Sequence, residues 1–279
     1  MKVIKNQSFT GERALFSTQE ATIENCVFFD GESPLKESKD LHLSNVTFQW
    51  KYPLWYCKNV VLENSTIEET ARSGIWYIDN IEVKNTKIIA PKTFRKGKHI
   101  KVRNSDFPHG QETLWGCEDI NIENSHIVGD YFAYFSNNIH IKNVQIDGNY
   151  AFDSCEDILV ENCILNSKDS FWNCKNVVIK DTTIIGEYLA WNTKNIRFIN
   201  CKIESHQGLC YIEDLYMENC TLENSDLTFE FCKNIDVSIN SVVDSIKNPI
   251  SGRIMVKGVK ELIMDEKFIE PKNTEIIIK

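Results

Sequence analysis

The chain has 279 residues, 42% of them hydrophobic, and carries a formal net charge of −9. That apolar fraction excludes disorder as the main state, and the acidic balance argues against a nucleic-acid partner. No apolar run approaches the ~20 residues that cross a bilayer, and the start, MKVIKNQSF, lacks the apolar segment of a signal peptide; a cytoplasmic protein with no membrane partner is expected.

In chain order, the first thing met is a repeat. An Asn-small-x-aliphatic pattern recurs with anchors at Asn6, Asn25, Asn45, Asn64, Asn85, Asn104, Asn124, Asn143, Asn162, Asp181, Asn200, Asn219 and Asn240. Eight of the twelve spacings are 19 residues, two are 20 and two are 21. Three residues after each anchor stands an apolar residue, from Phe9 and Phe28 to Leu222 and Val243. Two and four residues before it the chain is also apolar, as in Ile139-x-Ile141 and Val177-x-Ile179. Alternation with period two marks a strand with one buried face. Five before the anchor runs a second polar column, including Asp40, Asn59, Asn80, His99, Asp119 and Asn138. Asn and Asp tolerate a left-handed backbone and bond their own main chain, so both columns read as corners.

A coil of short strands bent at such corners cannot bury its face alone and must stack on its neighbours. The expected fold is all-β: a right-handed parallel β-helix of about thirteen coils of 19–21 residues. A hexapeptide solenoid would keep multiples of six. A leucine-rich repeat would return through a helical or irregular segment, whereas here a further apolar segment, such as Leu54-Trp55-Tyr56-Cys57 or Phe171-Trp172-Asn173-Cys174, precedes the corner.

The repeated W-x-C-K-N-V/I…N-C/S/T-x-I units, over about residues 1 to 243, resemble a bacterial domain-of-unknown-function family of pectin-lyase-like right-handed β-helix proteins. The resemblance implies the architecture and a loose kinship with sugar-polymer lyases and hydrolases. It brings no activity: the aspartate, His-Gly and Arg-x-Lys set of polygalacturonase-like hydrolases finds no match here. Neither do the calcium aspartates and arginine base of pectate lyases.

After Asn240 the register slips, since Ser238 stands where an aliphatic residue is expected. Residues 1–243 are read as the β-helix and 244–279 as a segment of the same domain that caps its C-terminal edge against aggregation. Val3 and Ile4 already fit a first rung, so homo-oligomer formation through the N-terminal rung is an expectation.

Nine before the anchor lies a column holding Trp55, Trp76, Arg95, Trp115, Tyr134, Asp153, Trp172 and Trp191; ten before lies a uniformly apolar or small one. Two readings stay open. If the uniform column faces inward, the indoles face water and could stack on sugar rings. If the indoles point inward, they fill the coil as large aromatics usually do; the nearby cysteine column (Cys57, Cys117, Cys155, Cys174) points that way. Trp55, Trp76, Trp115, Tyr134, Trp172 and Trp191 are the candidate ligand-binding residues.

Six after the anchor runs a polar column in which Lys168, Glu187 and His206 fall on successive rungs. An acid between a lysine and a histidine suits general acid or base catalysis, so Glu187 is the candidate catalytic residue, with Lys168, His206 or Asp153 assisting. The alternative is a solvated charge ladder. The ten cysteines form no CxxC pair and read as reduced thiols; no metal motif is found, and no metal or cofactor is expected. The leading functional reading is a carbohydrate-like elongated ligand bound, and cleaved or not, along an aromatic-lined face. The alternative is a non-catalytic scaffold or self-assembling solenoid.

Overall fold

A computed structural model describes residues 2–279. The chain forms two compact units, Met1–Val144 and Gln145–Lys279. Each is a parallel β-solenoid, and the described residues contain only two single-turn 3-10 helices, Glu69–Ala71 and Pro271–Asn273.

In the first unit the register follows the apolar column four before the anchor. Ala21 pairs with Leu41, Leu41 with Val60, Val60 with Ile81, Ile81 with Ile100 and Ile100 with Ile120. The N-terminal strand Lys2–Lys5 pairs in the same register, Ile4 against Ile23, with Ile4 buried and Val3 exposed. In the second unit Ile158, Val177, Ile196, Leu215 and Ile235 continue the same kind of column. These residues are all buried, so the period-two alternation marks the inner face correctly.

The corners are held by side-chain amides. Twelve of the thirteen anchors have φ between 47° and 56°, the left-handed region that Asn tolerates, and Asn240 is the exception. Along most of the column the amide donates to the residue a turn earlier. In the first unit Asn25 bonds Asn6 at 3.2 Å, Asn45 bonds Asn25 at 2.7 Å and Asn143 bonds Asn124 at 2.9 Å. In the second unit Asn200 bonds Asp181 at 2.9 Å and Asn219 bonds Asn200 at 2.9 Å. The second polar column does the same, Asn59 on Asp40 at 2.7 Å and Asn195 on Asn176 at 2.9 Å, again at positive φ.

The third side is built differently. Apolar residues such as Leu54, Leu114, Phe171 and Ala190 have φ near 60°, and so do the residues two positions on, Tyr56, Asn173 and Asn192. Alternate amides turn to opposite neighbours: Phe171 donates to Ala151 O at 2.9 Å, and Asn173 donates to Trp191 O at 2.9 Å. A left-handed backbone at a bulky residue costs of order 1 kcal/mol or more, and the inter-rung hydrogen bonds offset it.

Two details differ from expectation. The register slip lies before Asn240, between Met217 and Cys220: Met217 faces Val237 but Cys220 faces Ile239. The later strand is thus one residue shorter, and Val237 rather than Ser238 enters the core. Strands Gly252–Val256 and Thr274–Ile278 then extend the ladder of the second unit, Ile254 against Ile276, so the chain makes about fifteen solenoid turns in all rather than thirteen.

Candidate functional site

The aromatic column stands on the outside, over the buried apolar column. Leu54, Ile75, Phe94, Leu114, Ala133, Phe152, Phe171 and Ala190 are fully buried, while the indoles one residue later are half-buried. The cysteines two positions after Trp55, Trp115 and Trp172 point inward, so cysteine and indole lie on opposite sides of the same wall.

In the first unit the rings form one pile: Trp55 on Trp76 at 5.1 Å and 7°, Arg95 between Trp76 and Trp115, and Trp115 against Tyr134 at 5.1 Å. Beside it runs a second pile, in which Tyr56 stacks on Tyr77 at 4.6 Å with Lys36 and Lys96 over the outer faces. In the second unit Trp172 stacks on Trp191 at 5.6 Å, and Trp191 meets the ring of Tyr211 edge-on at 5.4 Å. Each indole of the column donates Nε1–H to a carbonyl of the next turn. Trp55 reaches Ser73 O, Trp76 Lys92 O and Trp115 Tyr131 O in the first unit; Trp172 reaches Tyr188 O and Trp191 Gln207 O in the second. Inner rings of these piles therefore offer solvent their edges, their faces being covered by one another.

The polar corner of the second unit brings two of the proposed catalytic side chains together. Lys168 Nζ lies 2.9 Å from Glu187 Oε1, both partly exposed. They line an open groove of about 380 Å3 with Asn149, Asn166, Ser167, Ile185, Gly186 and Glu204. The hydrogen bond and charge of Glu187 raise the Lys168 pKa, so the lysine is a cation at neutral pH and not a base. Asp169, next in sequence, has its carboxyl pKa raised by burial and then by Glu187, with Lys168 opposing.

His206 pairs with Glu187 in backbone register. Its side chain, however, turns to Asp226, Nδ1 to Oδ1 at 2.6 Å. Asp153 stands in the aromatic column away from the groove lining, its Oδ1 accepting from Ser154 Oγ at 2.8 Å and Asn173 Nδ2 at 3.2 Å. What the columns did not single out as a bridge is Tyr188. Its ring stands edge-on to Trp191 at 5.5 Å and to His206 at 6.0 Å, joining the aromatic pile to the polar corner. Glu230 is the one buried charged residue among the described residues, paired with Lys247 at 2.8 Å. Among the described residues no group of three or more His, Cys, Asp or Glu side chains is arranged to hold a metal ion.

The family model described as "Protein of unknown function (DUF3737)" matches residues 2–277. The chain belongs to this family. No curated protein matches this member of it. Among solved structures it is similar to PfbA, a surface adhesin of Streptococcus pneumoniae, at 11% identity over 94% of this chain and 81% of that one, TM-score 0.46. A PL6 alginate lyase in complex with a trisaccharide has 10% identity over 100% and 82%, TM-score 0.40. The A-module of the mannuronan C-5 epimerase AlgE4 from Azotobacter vinelandii has 7% identity over 99% and 89%, TM-score 0.34. No helix among the described residues of this DUF3737 protein is long and apolar enough to cross a membrane.

Proposed function

We propose that the protein binds an elongated carbohydrate where the aromatic column of the second unit borders the Lys168–Glu187 groove. The observation that carries this reading is Tyr188, whose ring joins Trp191 to His206 beside an open groove lined by a cation, two carboxylates and two amides. Charged and amide groups in a concavity bond hydroxyls, and a rim of aromatic edges excludes water from them. Binding, rather than cleavage, is favoured by Lys168 being locked as the ammonium partner of Glu187. Glu187 is the residue on which a hydrolytic role would rest, and Asp153 and His206 are held by other partners. The ten cysteines, all buried free thiols, fit work in a reducing compartment such as the cytoplasm.

A glycan array followed by titration of any hit tests it. Trp191→Ala and Glu187→Gln should each weaken binding about tenfold or more. A hit that tolerates both changes, or no hit among acidic and neutral glycans, refutes the reading.

The second reading is a non-catalytic scaffold, and it is favoured by the mutual covering of the ring faces in the first unit. Under it the terminal strands Lys2–Lys5 and Thr274–Ile278, each paired on one side only, would be contact edges. The capping role of residues 244–279 is tested with it: a chain lacking them should aggregate, and a soluble monomer would refute the role.

A further inference from the structure

Trp50 differs from every other indole. It lies five residues after Asn45, outside the column, and among the described residues its Nε1–H has no protein partner and its ring packs on no other ring. It forms a wall shared by two grooves of the first unit. The larger, about 490 Å3, is lined by Phe29, Asp30, Gln49, Trp50, Glu68, Glu69 and Thr70. The smaller, about 380 Å3, adds Lys51, Arg72 and Pro91.

The sequence explains why a cleft forms here. The Asn64 to Asn85 spacing is 21 residues rather than 19, and the extra length is taken up just after the rung. Glu68 N–H still donates to Phe48 O at 2.9 Å, and the chain then makes the 3-10 turn Glu69–Ala71, with the Thr70 hydroxyl donating to Gln49 O. The turn raises Glu68, Glu69 and Thr70 as one bank of the larger groove, opposite a half-exposed Phe29.

The charge of this lining is one-sided. The larger groove holds three carboxylates and no lysine or arginine. Lys51, whose ammonium lies 5.2 Å from the Trp50 ring centre, lines the smaller groove and pairs with Glu32 at 3.3 Å. Asp30 and Glu68 have no ion-pair partner among the described residues, and Glu69 meets only His109, at 3.6 Å. A flat indole face beside carboxylates suits a ring with an apolar face and a positive charge. The volume lies in the range of small-ligand pockets.

We infer that the larger groove is a binding site for an amino sugar carrying a free ammonium group, its pyranose face on Trp50 and its ammonium on Glu68 or Asp30. This site is independent of the carbohydrate reading of the second unit.

Titration calorimetry of the full chain with a fully deacetylated glucosamine tetramer tests it, with the N-acetylated tetramer and spermidine as controls. The deacetylated tetramer should bind at least tenfold more tightly than either control and weaken as salt is raised. Trp50→Ala and Glu68→Gln should each cost about tenfold, while Lys260→Ala, at a surface ion pair of the second unit, leaves the affinity unchanged. Trp50 is half-buried at the surface, and circular dichroism checks that its variant folds; Glu68→Gln carries the test if it does not. Equal binding of the N-acetylated tetramer or of spermidine, absence of binding by the deacetylated one, or indifference to both substitutions overturns the inference.

Discussion

Trp76 and Trp115 lie two turns apart and face the same guanidinium, whose carbon is 4.6 Å from each ring centre. Arg95 is the member of the pile that is not a ring, and it replaces an indole without interrupting the stack. Arg95→Ala opens a gap between two half-buried rings and should lower stability by about 1–3 kcal/mol in chemical denaturation. Arg95→Trp should restore most of it. Glu112, 3.5 Å from the guanidinium, is a surface partner, and Glu112→Gln should cost under about 1 kcal/mol. An Arg95→Ala protein as stable as the parent would show that the pile is ornamental.

The amide ladder predicts a positional contrast. Asn124 sits at φ 48°, donates to Asn104 at 3.2 Å and accepts from Asn143 at 2.9 Å. Asn124→Ala loses both bonds and strains the backbone, and should cost about 2–3 kcal/mol. Asn124→Gly keeps the backbone and should cost about half as much. Asn240 lacks the left-handed backbone and its side chain bonds only Asn219, at 2.7 Å, so Asn240→Ala should cost under about 1.5 kcal/mol. Equal losses at Asn124 and Asn240 would contradict this account.

The thiols should be inert. Burial pushes Cys57, Cys117 and Cys210 up to about 12; the hydrogen bond with Cys201 lowers Cys220 instead, but that thiol, like the other nine, is buried away from reagents. Thiolate is the reactive form, so a disulfide-exchange reagent at pH 8 should titrate fewer than about one thiol in native protein and all ten after denaturation. Rapid native labelling of several would contradict the inward orientation.

Acid should weaken one surface cluster in a defined direction. The Asp79 carboxyl is held below its usual 3.8, first by the hydrogen bond from Lys58 and then by that from His99. A depressed folded value contributes stability above the ordinary carboxylate pKa and loses it as pH falls through the lowered value. Asp79→Asn should therefore cost up to about 1 kcal/mol at pH 7, exposure limiting the size. The difference should vanish at about pH 2, and a penalty independent of pH would show that charge is not its cause.

The fold was legible because its corners need one residue type. Asn at the anchor satisfies a left-handed backbone and an amide ladder at once, so the spacing alone gives the register that pairs Val177 with Ile196. The third side left no such mark: Leu54 and Ala190 are held at positive φ by inter-rung hydrogen bonds, which no side chain announces. The facing of the tryptophans was not legible either, because two adjacent columns are both apolar in places, and only packing shows Leu54 inside and Trp55 outside. His206 does fall beside Glu187 in the register, but the direction of its side chain was not legible. Equal spacing puts Ser225 on its next rung, whereas the imidazole reaches Asp226, one residue further. Trp50 escaped notice because it stands five residues after its anchor, outside the columns that were followed, and the cleft beside it depends on the longer Asn64–Asn85 turn that comes next.

The most direct test of the carbohydrate account is acrylamide quenching of a variant retaining only Trp172 and Trp191, with and without the oligosaccharide identified on the array. The account predicts partial quenching of these half-buried indoles and clear protection when the sugar occupies the adjoining groove. Quenching unaltered by saturating ligand, or indoles already fully shielded without it, would contradict a binding edge on the second unit.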